Sequence, residues 1–177
     1  GVHSWLESPD FTLPPVINEL NLSVKHWQNM YTPSLGNGNA DGAWLEMSLD
    51  SGQTWRYMAP EGGFNNRINV AAPAPNGSGG SNFEVWASPD ATRWQTANFN
   101  LDNEPGILNA THARFRFVVW TDFNSTIQRP GWFLDKVNLT NVGEDPGSWF
   151  HGNLTDEYAN GAESYLLLEV NLTNASG

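Results

Sequence analysis

The chain contains no cysteine, which excludes a disulfide scaffold and leaves the redox compartment unread. Basic residues are scarce. Eight Lys and Arg stand against 19 Asp and Glu, for a net charge of −11. Such a balance argues against nucleic acid and against anionic membrane surfaces, both of which need a basic patch. It suits solubility and cation binding. No apolar run approaches the 18 or more residues of a membrane span, so no membrane insertion is expected. The sequence opens at Gly1-Val2-His3 without a signal-peptide pattern, and a processed mature form is the expectation. Catalytic motifs are also missing: there is no H-E-x-x-H, no G-x-S-x-G and no phosphate loop. His3, His26, His112 and His151 are scattered without ligand spacing. A carboxylate pair for glycoside hydrolysis would be spatial and invisible in sequence. The expectation is a protein that is not an enzyme.

What is present favours strands. Apolar residues make up 39% of 177 residues and nine are tryptophan, enough for a core in one domain. Gly, Pro, Asn, Ser and Thr are abundant, and no segment keeps helical periodicity beyond two turns. The fold class expected is all-β, a sandwich of many strands joined by turns. Strands are expected at Ser4 to Leu13 and at Asn18 to Trp27, where Leu20, Leu22, Val24 and His26 alternate with Asn21, Ser23, Lys25 and Trp27. A hairpin is expected from Ala43–Leu49 and Thr54–Met58, a long loop over Glu61–Gly80, and strands at Asn82–Ala87 and Arg93–Leu101.

The most informative run is Ala113 to Leu139, ARFRFVVWTDFNSTIQRPGWFLDKVNL. Arg114 to Trp120 has the period-2 pattern of a half-buried strand, and Trp132 to Leu139 forms a second strand after Pro130-Gly131. This pair resembles the closing hairpin of MAM-like jelly-roll domains, such as those appended to secreted metalloproteases similar to immune inhibitor A. The resemblance reaches back through Asp41-Gly42-Ala43-Trp44-Leu45-Glu46 and Leu22–Trp27 to Ser4-Trp5-Leu6-Glu7-Ser8-Pro9, about three quarters of the chain. It implies a jelly-roll β-sandwich of antiparallel sheets over residues 1–140 and an extracellular or cell-surface setting. It implies no reaction.

Asn-x-Ser/Thr occurs at Asn21, Asn76, Asn109, Asn124, Asn138, Asn153, Asn171 and Asn174. Composition predicts about three such triplets by chance, and the excess points to N-glycans on an exported chain.

Ser48-Leu49-Asp50-Ser51-Gly52-Gln53-Thr54-Trp55 fits an Asp-box, in which the Asp caps a turn and the Trp packs beneath it. Asn37-Gly38-Asn39-Ala40-Asp41-Gly42 resembles half of a calcium loop, with oxygen donors Asn37, Asn39 and Asp41 at alternate positions, but the twelfth position is Ser48 rather than Glu. An Asn/Gly turn is the alternative. A second structural Ca²⁺ candidate joins Glu7 to Asp135, if their strands are neighbours; the alternative is Asp135 bonded to backbone or Arg129. Lys136 replaces the second acidic residue usual in the family pattern. Trp27, Trp55, Trp86, Trp94 and Trp120 exceed what one core needs and could include a sugar-stacking platform, with core filling as the alternative.

Residues 141–177 form a Gly/Pro/acidic linker followed by an apolar strand, Ser164-Tyr165-Leu166-Leu167-Leu168-Glu169-Val170-Asn171-Leu172. Such a strand needs a partner. It can pair within its own sandwich, belong to a truncated tandem array, or add to the sheet of another subunit. Head-to-tail addition gives an open homopolymer, with Tyr165, Leu166, Leu168, Val170 and Leu172 as subunit contacts. The function expected is a non-catalytic structural subunit of a glycosylated surface filament or layer. The alternative is a carbohydrate- or protein-binding adhesion module, with exposed Trp near the 29–40 and 61–80 loops.

Overall fold

The computed structural model describes residues 2–15, 17, 20–31, 40–70, 77–87, 93–121, 129–140 and 150–152. Eleven strands are found among them: β1 (Val2–Glu7), β2 (Phe11–Thr12), β3 (Asn21–Asn29), β4 (Gly42–Ser48), β5 (Arg56–Met58), β6 (Asn66–Ile68), β7 (Phe83–Val85), β8 (Gln95–Asn100), β9 (His112–Thr121), β10 (Gly131–Leu139) and β11 (Phe150–Gly152). A single 3₁₀ turn covers Ile107–Asn109. The all-β expectation holds, and antiparallel sheets pack face to face as a β-sandwich.

One sheet runs β11-β1-β9-β4-β5, with β2 continuing the β1 edge along β9. The other is β10-β3-β8. Alternation along each strand sends one set of side chains into the shared core. On β3 these are Leu22, Val24, His26 and Gln28, and the burial pattern alternates strictly over the whole strand. Ala113, Phe115 and Phe117 of β9 meet Trp132, Leu134, Val137 and Leu139 of β10 across that core. The Phe117 and Trp132 ring centroids are 5.9 Å apart.

This corrects the hairpin expected from residues 113–139. β9 is a central strand of one sheet and β10 an edge of the other, so the pair is an arch between sheets. Each strand has one apolar face, and two such faces bury more surface opposed than side by side. The first expected strand also divides. At Ser8 the ladder loses one of its two bonds: Ser8 N–H still donates to the Phe115 carbonyl at 2.8 Å, but Phe115 N–H donates to Ser8 Oγ, also at 2.8 Å, before β2 resumes.

A third layer joins β6, a strand inside the expected 61–80 loop, to β7, which falls within the strand expected at Asn82–Ala87. β6 pairs with β7, and this hairpin covers the outer face of the larger sheet. Trp44, Val118 and Trp120 from below meet Ile68, Val70 and Val85 from above. All seven residues of β4 are consequently buried. Gly42 makes the approach possible, because a Cβ there would lie 2.5 Å from Ile68 Cδ1 and 2.8 Å from Val85 Cγ2.

Of the extension after residue 140, β11 adds to the β1 edge, with Trp5 opposite Gly152 and Glu7 opposite Phe150. Tyr165, Leu166, Leu168, Val170 and Leu172 lie outside the described residues.

Candidate functional site

Two outward faces carry chemistry. On the larger sheet, register places Glu7, Arg116 and Glu46 in one transverse row across β1, β9 and β4. Arg116 Nε and Nη2 lie 2.6 and 2.5 Å from Glu46 Oε2. The two side chains are 2% and 0% exposed. The other carboxylate oxygen accepts Trp44 Nε1–H at 2.9 Å and Ser78 N–H at 2.7 Å. Trp55 and Trp5 rings flank the guanidinium, with centroids 4.3 and 5.7 Å from its carbon. Burial pulls the Arg116 pKa down and the Glu46 charge opposes that shift. Both Glu46 oxygens are engaged by donors, so the pair is built to anchor the 77–78 segment on the sheet, and proton transfer would require breaking it. It is a structural device.

Next to it, the Ser48–Trp55 turn has Asp-box geometry. Asp50 Oδ1 accepts Thr54 N–H at 2.8 Å and Ser48 O–H at 2.7 Å, and Thr54 O–H donates to Oδ2 at 2.5 Å. These bonds, the Thr54 hydroxyl foremost, hold the Asp50 pKa down at about 2. Gly52 at φ +88° closes the turn over the Trp55 ring.

The second face is the outer side of the β10-β3-β8 sheet. Trp27 stands opposite Phe133, Lys25 opposite Asp135 and Thr96, Ser23 opposite Asn138 and Asn98, and Asn21 opposite Asn100. Trp94 precedes β8, and continuing the register from Gln95 opposite His26 sets it level with Trp27. The result is a grid. Trp94, Trp27 and Phe133 form an aromatic row, followed by Thr96, Lys25 and Asp135, then two rows of carboxamides and hydroxyls. Trp27 and Phe133 are half-buried, with centroids 5.3 Å apart. Trp94 is 45% exposed. Lys25 Nζ sits 3.2 Å from Asp135 Oδ2 and 5.4 Å from the Trp94 centroid. Of the five surplus tryptophans, Trp55, Trp86 and Trp120 are core, while Trp27 and Trp94 belong to this grid.

The Glu7–Asp135 pairing is not formed. β1 and β10 lie in different sheets, and the two side chains face out on opposite sides of the sandwich. Glu7 lies 3.9 Å from Arg114 Nη1, and Asp135 takes Lys25. Asp41 closes its loop by accepting Tyr31 N–H at 3.2 Å, while Asn37 and Asn39 fall outside the described residues. No group of three metal-ligating carboxylates or histidines occurs among the described residues. Among the described sequons, Asn109 is exposed at the end of the 3₁₀ turn, and Asn21 and Asn138 lie on the outer face of the smaller sheet. Asn76, Asn124, Asn153, Asn171 and Asn174 fall outside the described residues.

No protein-family model matches the chain, and no curated protein or solved structure matches it either.

The alternation Ser23, Lys25, Trp27 was legible in the sequence as the outward half of a strand. The placing of Trp94 and Phe133 beside Trp27 was not, because those residues are 67 and 106 positions away in the chain.

Proposed function

We propose that this is a non-catalytic, extracellular carbohydrate-binding module whose ligand lies along the outer face of the β10-β3-β8 sheet. The observation that carries the reading is the transverse row Trp94, Trp27 and Phe133 next to the Lys25–Asp135 pair. Aromatic faces stack on the C–H side of a sugar ring, and neighbouring carboxamides, carboxylate and ammonium exchange hydrogen bonds with its hydroxyls. Strand spacing of about 4.8 Å makes the row long enough for a sugar residue or two. The sequon excess supports an exported, N-glycosylated setting, and the MAM-like resemblance supports a jelly-roll path and a surface protein. The test is binding to immobilised glycans by wild type and Trp27→Ala. A loss of tenfold or more, with unchanged thermal unfolding, is expected. Equal binding by both, or none by either, removes the proposal.

A second reading is the surface filament or layer built by strand addition. Its support is the imbalance of the sandwich: three strands oppose six, and among the described residues no strand pairs with the far edge of β10. Residues 164–172 of another copy would extend that sheet. Deleting residues 164–177 would then convert polymers to monomers in negative-stain micrographs, and unchanged polymers would exclude it.

A further inference from the structure

The cations of this acidic chain are unevenly placed. All eight Lys and Arg are described. Four serve the larger sheet and its covering hairpin, and each has a partner there. Arg67 pairs with Glu84, Arg114 with Asp10, and Arg116 with Glu46. Arg56 donates to the Pro105 carbonyl. The other four belong to the smaller sheet. Lys25 is on β3 and Lys136 on β10, while Arg93 precedes Trp94 and Arg129 precedes the start of β10. Only Lys25 has a carboxylate partner. Arg93, Arg129 and Lys136 are exposed and have no ion pair among the described residues. On β3, β8 and β10 together, Asp135 is the single acidic residue.

Lys136 is also held in an uncommon conformation. It is the extra residue of a β-bulge, at φ +51°, between Asp135 opposite Lys25 and Val137 opposite Val24. A bulge re-aims a side chain at the edge of a sheet. Left-handed backbone at a long side chain costs about 1 kcal/mol or more and tends to persist where the position has a use.

Lys25 and Lys136 therefore lie on the strands of the smaller sheet, and Arg93 and Arg129 shortly precede two of them, while Asp135 is the one acidic residue within those strands, on a chain of net charge −11. Unpaired cations in such an acidic molecule lose the local attraction that the other four enjoy. Cations gathered on and beside one sheet are complementary to a polyanion.

We propose that the ligand of this face is an anionic polysaccharide, bearing carboxylate or sulfate groups, with Arg93, Arg129 and Lys136 engaging the charges while Trp94, Trp27 and Phe133 stack on the sugar rings. This rests on the carbohydrate-binding reading above and narrows it to a chemical class. Arginine suits the task, since its planar fork meets a carboxylate or sulfate in two parallel bonds. The acidic remainder of the surface would keep the polymer confined to this one face.

The test compares matched probes that differ in charge alone: polygalacturonate against its fully methyl-esterified form, and dextran sulfate against dextran. Affinity electrophoresis is run with the full chain, with Trp27→Ala and with the triple variant Arg93→Gln/Arg129→Gln/Lys136→Gln. Arg93, Arg129 and Lys136 are exposed and Trp27 is half-buried, and circular dichroism melts check that the fold is kept. Wild type is expected to bind at least one charged probe tenfold or more tightly than its neutral partner, and to weaken steeply between 50 and 300 mM salt, as the screening length falls from about 14 Å to about 6 Å. The triple variant is expected to lose that preference. Equal, salt-insensitive binding to charged and neutral partners would overturn the anionic assignment and leave the carbohydrate reading standing. Absence of binding to every probe overturns both. Concentration-dependent self-association abolished by the triple variant, without glycan binding, would assign the face to a second, acidic copy of the chain and overturn the glycan.

Discussion

Arg116 and Glu46 form an ion pair of 2.5 Å at the centre of the larger sheet, closed off by Trp55, Trp5 and the Gly77–Ser78 segment. Removing one partner strands a buried charge. Arg116→Met should therefore cost about 3–5 kcal/mol in urea unfolding, and Glu46→Gln/Arg116→Met should recover a good part of it. A double variant no more stable than the single one would show that the charge pair is not what the core depends on.

Gly77 packs directly on that pair, since a Cβ there would overlap the Arg116 guanidinium and approach Glu46 Oε2 at 2.5 Å. Gly77→Ala should destabilise by about 1–3 kcal/mol, as overpacking does. Faster hydrogen exchange at the Ser78 amide should accompany it, because its bond to Glu46 is the one displaced.

His26 is 2% exposed and accepts a 3.2 Å hydrogen bond from Trp132 Nε1 at its Nδ1. Burial pushes its pKa down to about 4. The unfolded chain, titrating near 6.5, then binds more protons than the folded one between those values. Stability is full above pH 6.5 and falls as pH drops toward 4, by an amount on the order of 3 kcal/mol. Half-buried His3, also lowered to about 4, adds loss in the same window. Asp50 acts later: its depressed pKa contributes stability that is lost only between about 4 and 2. Urea midpoints at pH 7.5, 5 and 4 check this, and His26→Gln should flatten the upper part of the curve.

Gly52 adopts φ +88° in the Asp50 turn, and a Cβ there would sit 3.2 Å from Arg114 Nη1. Gly52→Ala should cost about 1–2 kcal/mol through left-handed strain. Calorimetry would register the lowered melting temperature, and a change within error would mean the turn relaxes freely.

Among the three described sequons, Asn109 is exposed at the end of a turn, whereas Asn21 and Asn138 sit within strands on the grid face. Expression in a glycosylating host should load Asn109 more fully than Asn21 or Asn138. Glycopeptide mass spectrometry reads the occupancies directly.

Local pattern was enough for the class of fold. Alternation at Leu22, Val24 and His26 gave the β3 register, and Asp50, Gly52 and Trp55 gave their turn, because those signals arise between residues close in the chain. Pairing is a different matter. Residues 113–139 looked like a hairpin, since two adjacent strands with a loop have the same local pattern whether they pair or arch. β7 falls within the strand expected at Asn82–Ala87, but its partner β6 was not legible, because a three-residue strand inside a Gly/Pro/Asn-rich stretch carries almost no periodic signal.

By itself the sequence determined that the protein is made of strands, that it is strongly acidic, and which side of each long strand is apolar. Only the tertiary structure decided which strands share a sheet. That choice separated Glu7 from Asp135, buried Arg116 against Glu46, and gathered Trp94, Trp27 and Phe133 on one face. The physical reason is that side-chain direction follows from neighbours two residues away, whereas partnership between strands is settled by how much apolar surface the whole chain can bury at once.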